Sequence, residues 1–215
     1  MHTHNTPTHR PFILGLAGGI GAGKSSVARH LASQGALVID SDANVRDLLT
    51  RPDIRDTLAQ WWGPRVLSPD QSVNRSAVAA IVFNDPTQRK RLEDLLYPIL
   101  HQARRETIAN AAQQGTWLVV LDAPLLYEAG LDAECDAVLF VDSPRPLRLA
   151  RVQASRGWDD PELARRESAQ APLEDKRRKA EYAMVNDGDD LALQARVSNV
   201  VERLKQHAQR LQSRP

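Results

Sequence analysis

The stretch Gly18-Gly-Ile-Gly-Ala-Gly-Lys24-Ser25 packs four glycines, a lysine and a hydroxyl into eight residues. It fits G-x-x-x-x-G-K-[ST], in which backbone N–H groups cradle nucleotide phosphates, the lysine reaches the outer phosphates and the hydroxyl ligates Mg²⁺. Glycine is needed because the loop turns several N–H groups inward through conformations that a Cβ obstructs. Gly18, Gly19, Gly21, Ala22, Gly23, Lys24, Ser25 and Ser26 are therefore candidate nucleotide contacts, with ATP and Mg²⁺ as the implied cofactors. The apolar run Phe12 to Ala17 supplies a strand before the loop, and Val27, Ala28, Leu31 and Ala32 mark one face of a helix after it. That helix aims its positive end at the same phosphates. A glycine turn that binds nothing would not need this context.

Two other groups of residues could do chemistry. Asp40-Ser41-Asp42 ends the apolar run Ala36 to Ile39, and Asp122 ends Trp117 to Leu121. Carboxylates at the carboxyl ends of parallel strands face the crevice where open α/β sheets bind ligands. Asp40 and Asp42 cannot both cap the next helix, and Asp42 is the better placed to do so, which leaves a carboxylate for chemistry. The other group is basic: Arg145, Arg148, Arg151, Arg156, Arg165 and Arg166 precede Lys176, Arg177, Arg178 and Lys179. Such a run is ordinarily a solvated face. A triphosphate needs cations above it, however, so a helical lid carrying transition-state arginines, with Arg148, Arg151 and Arg156 as the candidates, competes with that reading.

Further apolar runs at 137–141 and 181–185 bring the expected strands to five, and helical patterns separate them. Alternating strands and helices imply a parallel sheet covered on both faces. The fold class expected is α/β: a P-loop NTPase-type three-layer α/β/α arrangement with a five-stranded parallel sheet, a helical substrate-binding insert and a helical lid. The core is expected from 11–42, 116–144 and 180–215, the insert from 43–115, the lid from 145–179, and a disordered tail over 1–10. Local signals give finer expectations. Asp85-Pro86 starts a long helix that Pro98 should bend or interrupt. Ser143 should cap a helix with Pro144 at its first position, and Asp160-Pro161 should open another that Pro172 closes. Asn186-Asp187-Gly188 ends the last strand, and a terminal amphipathic helix runs on from Leu191.

With 28 basic and 27 acidic residues among 215, the net charge of +1 gives no global case for nucleic acid or an anionic membrane surface. Cys135 is the only cysteine, so no internal disulfide forms and a reducing compartment is expected. Met1 to Arg10 is polar and unlike a signal peptide, and no stretch approaches 18 apolar residues. A cytoplasmic protein with a small-molecule substrate, no nucleic acid and no membrane partner is the expectation; the oligomeric state stays open, and a monomer is compatible with it. A GTPase would carry Asn-Lys-x-Asp, which is missing, and a motor ATPase would follow its strand-end aspartate with Glu, where Asp122 is followed by Ala123. A small-metabolite kinase remains, with a nucleoside monophosphate kinase and a nucleotide-driven switch as rivals.

Several ordered motifs then converge. From about Ile13 to Gly188 the sequence resembles the dephospho-coenzyme A kinases, which phosphorylate the ribose 3′-hydroxyl of dephospho-CoA. The resemblance lies in Gly15 to Ser25, Asp40-Ser41-Asp42 with Arg46, Arg75 before an apolar helix ending in Phe83, and Arg91-Leu92-Glu93. It continues in Pro124-Leu125-Leu126-Tyr127-Glu128, like the family's Pro-Leu-Leu-aromatic-Glu signature, and in Gln170, Glu174, Lys176, Ala180 and Asn186 to Gly188. The chain departs from the family at Tyr97, where His is usual, at Ser41, at Glu181, and at Glu167, where an apolar residue is common. The Arg151 to Arg156 spacing is also one residue off.

The resemblance implies Asp40 as the base on the acceptor hydroxyl, with Asp42, Arg46, Arg75, Pro124, Leu125 and Glu128 around the acceptor, dephospho-CoA. It also implies Asn186 and Gly188 in a loop against the adenine. Asp122 joins Ser25 as a candidate for the metal.

Overall fold

The computed structural model describes residues 10–213. The expected tail, with His2, His4 and His9, lies outside them apart from Arg10, whose guanidinium pairs with Asp136 at 2.7 Å. The secondary structure runs β1 (Phe12–Gly18), α1 (Lys24–Ser33), β2 (Leu37–Asp40), α2 (Ser41–Leu48), α3 (Pro52–Trp62), α4 (Arg75–Asn84), α5 (Pro86–Gln113) and β3 (Leu118–Asp122). It continues with β4 (Ala137–Asp142), α6 (Arg145–Arg156), α7 (Asp160–Glu167), α8 (Leu173–Lys179), β5 (Tyr182–Val185) and α9 (Asp190–Gln212). The chain divides into two compact units, one reaching Asp40 and resuming at Ile108, the other Ser41–Thr107.

The first unit is built on a parallel sheet of order β2-β3-β1-β4-β5. Every residue of β1 is buried, as a strand covered on both faces requires, which is why it reads as an unbroken apolar run. One face packs Leu14, Leu16, Val27 and Leu31 with Val197, Val201 and Leu204 of α9. The other packs Ile13, Val119, Leu121 and Phe140 with Leu126 and the end of α5 at Ala111. These are the three layers expected, and the five parallel strands fall where the apolar runs placed them. The second unit has its own core of Leu48, Ile54, Leu58, Trp62, Val66, Val78 and Leu96. Among the described residues no helix is long and apolar enough to cross a membrane.

Some local expectations are corrected. Of the two outcomes expected at Pro98, the interruption does not occur: α5 is helical from Pro86 to Gln113. Losing one backbone hydrogen bond to proline costs about 3 kcal/mol. Leu92, Leu95, Ile99 and Leu100 pack on the second core on both sides of it, and each such burial contributes about 1.5–3 kcal/mol. Ser143 caps nothing: α6 starts at Arg145, and the Ser143 hydroxyl accepts instead from Arg151 Nη1 at 3.0 Å. Asp42 lies inside the first turn of α2, not at its cap. Asp159, one residue before the expected start, caps α7 by accepting from the Glu162 N–H at 3.0 Å. Helix α7 ends at Glu167, and Pro172 leads into α8.

Candidate active site

The loop Gly19 to Gly23 joins the central strand to α1. Gly18 has φ 149, and a Cβ there would collide with the Val141 carbonyl of the neighbouring strand. Gly23, at φ 88, is left-handed and leads directly into α1, a conformation that costs an L-residue about 1–2 kcal/mol. Lys24 folds back across the loop, its Nζ donating to the Gly18 carbonyl at 3.1 Å, so its charge stays over the concave side. Ser25 is exposed in the first turn of α1, where backbone N–H groups lack intrahelical acceptors.

Three successive loop carbonyls are turned outward and held. Arg148 Nη1 donates to Ile20 O at 3.2 Å, Arg151 Nη1 reaches Gly21 O at 3.3 Å and Ala22 O at 3.4 Å, and Asn186 Nδ2 donates to Ala22 O at 2.8 Å. Arg148 is 5% exposed and also donates to Ser143 O at 3.1 Å and to the Glu167 carboxylate. Two guanidinium charges therefore lie against the loop, both from α6. Arg156, at the far end of the same helix, is exposed and stacks over Trp158 at 4.7 Å. Asn186 is buried and Gly188 exposed in the loop after β5.

The carboxylates are placed by strand register. Asp40 ends β2 and Asp122 ends β3 as register partners, and Asp122 also stands opposite Leu16 of β1. Adjacent strands are about 4.8 Å apart, so both carboxylates stand at one edge of the sheet, at the end where the glycine loop leaves β1. An exposed serine hydroxyl and a strand-end carboxylate are hard oxygen donors. No cluster of three or more His, Cys, Asp or Glu occurs among the described residues. Such a donor set fits Mg²⁺ shared with phosphates and water better than a protein-caged transition metal. In the second unit, Asp42 and Arg46 are exposed on α2, and Arg75 is exposed at the first position of α4.

A sequence model of the dephospho-CoA kinase family matches residues 12–191. The chain belongs to the dephospho-CoA kinase family. It is 40% identical to the dephospho-CoA kinase of Thermobifida fusca over 94% of this chain and 98% of that protein. It is 37% identical to that of Anaeromyxobacter dehalogenans over 90% of this chain and 92% of that one. A crystal structure of a Thermus thermophilus protein superposes with a TM-score of 0.79 at 33% identity, covering 91% of this chain and 98% of that chain.

The signature Pro124 to Glu128 follows β3, with Pro124 and Leu125 exposed and Leu126 buried. Glu128 accepts from the Ala171 N–H at 2.9 Å and pairs with Lys176 Nζ at 2.8 Å. The Lys176 side chain is 2% exposed and also donates to Gln170 Oε1 at 3.1 Å. Partial burial pushes the Glu128 carboxyl up, but Lys176 and the Ala171 amide outweigh it, and the net shift is downward. Sequence reasoning gave Lys176 no role beyond the basic run; only its place beside Gln170 in the family order marks it.

The departures from the family also have partners. Glu167 holds Arg148, and Glu181 Oε2 accepts from the Val138 N–H at 2.7 Å. Tyr97 is 50% exposed on α5. Cys135 is no nucleophile: burial and then the neighbouring acids push its thiol up to about 12.

Proposed function

We infer that this chain is an ATP-dependent phosphotransferase that moves the γ-phosphoryl group of ATP to the ribose 3′-hydroxyl of 3′-dephospho-CoA. The products are coenzyme A and ADP, in the last step of coenzyme A biosynthesis. The observation that carries this reading is a phosphate loop with Lys24 at the mouth of β1, beside the registered strand-end carboxylates Asp40 and Asp122, in a chain matching the family over 12–191.

Phosphoryl transfer is mainly positioning and charge neutralisation. The loop amides from Gly18 to Ser26 and the Lys24 ammonium hold the β- and γ-phosphates. Asp40 orients the acceptor hydroxyl and takes its proton, late in a loose transition state, so a strong base is not needed. Ser25 and Asp122 would hold Mg²⁺, which when bound would offset charge on the phosphate oxygens. Arg148 and Arg151 add positive charge from the loop's outer side, and Arg156 comes in from the lid to share the developing charge. Asp42, Arg46 and Arg75 take the acceptor, its phosphates falling to the two arginines, and Pro124, Leu125 and Glu128 are further acceptor contacts. The loop from Asn186 to Gly188 flanks the nucleotide. The reading includes a cytoplasmic location, carried by the single cysteine, Cys135.

ADP release measured with Mg·ATP and candidate acceptors tests the reading. Dephospho-CoA is expected to stimulate turnover at least a hundredfold over ATP alone. Preference for a free nucleoside monophosphate, or no stimulation by any acceptor, overturns it.

A further inference from the structure

Asn186 comes from the end of β5, at the sheet edge away from the carboxylates, yet its side chain is turned under the glycine loop. It is 4% exposed. Its own N–H donates to Asp142 O at 2.7 Å, which ties its backbone to the end of β4. Its carbonyl accepts from Arg151 Nη2 at 3.1 Å, and Arg151 is fixed in turn by the Ser143 hydroxyl at 3.0 Å. With its backbone held on both sides, the Asn186 amide donates to Ala22 O at 2.8 Å.

The peptide unit is planar and trans, so its C=O and N–H point in opposite directions. The peptide that carries Ala22 O also carries the Gly23 N–H. Pulling that oxygen outward turns the Gly23 N–H to the concave side, where the phosphates go. Gly23 must be glycine for the same reason: a Cβ there would run into Asn186 Nδ2. The family resemblance implies Asn186 beside the adenine; in the structure its side chain lies under the glycine loop at Ala22.

We infer that Asn186, supported by Arg151 and Ser143, is a positioning residue that aims the Gly23 N–H at the triphosphate and so governs affinity for phosphate chains irrespective of the base. The inference rests on the reading of the loop as a triphosphate site and does not depend on which acceptor the kinase uses.

The test is calorimetric titration of Mg²⁺-loaded inorganic tripolyphosphate and of Mg·ATP into the full-length chain. Asn186→Ala is expected to weaken both by the same factor, about tenfold for one loop-orienting hydrogen bond, with KM for dephospho-CoA unchanged within twofold. Asn186→Asp keeps the shape but sets a carboxylate against the Ala22 carbonyl, so it is expected to bind tripolyphosphate more weakly than Asn186→Ala. A role in packing alone would rank the near-isosteric Asp above Ala. Ser143→Ala, which loosens Arg151 while leaving Asn186 in place, is expected to weaken tripolyphosphate about threefold and serves as the measurement if Asn186 variants fail to fold. Loss of ATP affinity with tripolyphosphate binding unchanged places Asn186 on the base and overturns the inference, as does unchanged binding of both. A wild-type chain that binds tripolyphosphate but leaves dephospho-CoA untouched sinks the kinase reading and not this one.

Discussion

Glu128→Gln removes the charge that compensates a buried ammonium. Lys176 is 2% exposed, and its Nζ lies 2.8 Å from Glu128 Oε1, whose side chain keeps 24% of its surface. Breaking a fully buried ion pair costs about 3–5 kcal/mol, mostly the penalty of the stranded charge. The wet quarter of Glu128 lowers this, and about 3 kcal/mol is the expected loss at pH 7. For a chain of this size that moves the thermal midpoint down by about 6–12 °C.

The sign of the pH dependence follows from the downward shift of Glu128. A carboxyl with a lowered folded-state pKa stabilises above its unfolded value, about 4.3, and loses that stabilisation as pH falls through the folded value. The gap between wild type and Glu128→Gln should therefore be full at pH 6–8 and narrow as pH falls from the unfolded value of about 4.3 toward the lower folded one. Replacing both partners, Glu128→Leu with Lys176→Met, should recover most of the loss, because no charge is left buried. Thermal and urea unfolding followed by circular dichroism from pH 3.5 to 8 measures all of this. A Glu128→Gln variant within about 0.5 kcal/mol of wild type at pH 7 would refute the ion-pair reasoning, whatever its KM for dephospho-CoA.

Lys24→Ala should fold and lose about 10²–10³ in kcat, the usual worth of one transition-state donor. Asp40→Asn should lose about 10²–10⁴ in kcat with KM for ATP within twofold; a kcat close to wild type removes Asp40 as the base. Gly23→Ala forces a side chain into φ 88 against Asn186 Nδ2, so ATP affinity measured by calorimetry should fall at least about tenfold, and undiminished affinity would contradict the loop geometry. Among the described residues the buried Tyr127 hydroxyl finds no hydrogen-bond partner, and its pKa is pushed up to about 12 by burial and then by nearby acids. Tyr127→Phe should therefore leave stability unchanged or raise it by about 1 kcal/mol in urea unfolding, and a loss greater than that would mean the hydroxyl has a partner.

Read alone, the sequence reveals the glycine loop, the five parallel strands and the strand-end carboxylates, because each is written in contiguous residues. A two-sided strand must be apolar throughout, a phosphate loop must be glycine-rich, and the residue ending a strand is read directly from where the apolar run stops. It misjudged Ser143, whose neighbours Ser-Pro-Arg look like a helix start, because the partner that claims its hydroxyl is Arg151, inside the helix that follows it. It likewise allowed Pro98 to interrupt α5, which does not happen, since the apolar residues that hold α5 on both sides bury against residues distant in the chain. Where each basic residue lies depends on the fold. Arg148 and Arg151 are turned onto the loop's carbonyls, Arg156 stays out over Trp158, Lys176 is sealed against Glu128, and Asn186 is drawn beneath Ala22. A hydrogen bond between residues separated by 164 positions leaves no periodicity or composition behind it. Its strength depends on distance and burial, and those exist only once the sheet has brought the ends of β1, β4 and β5 together.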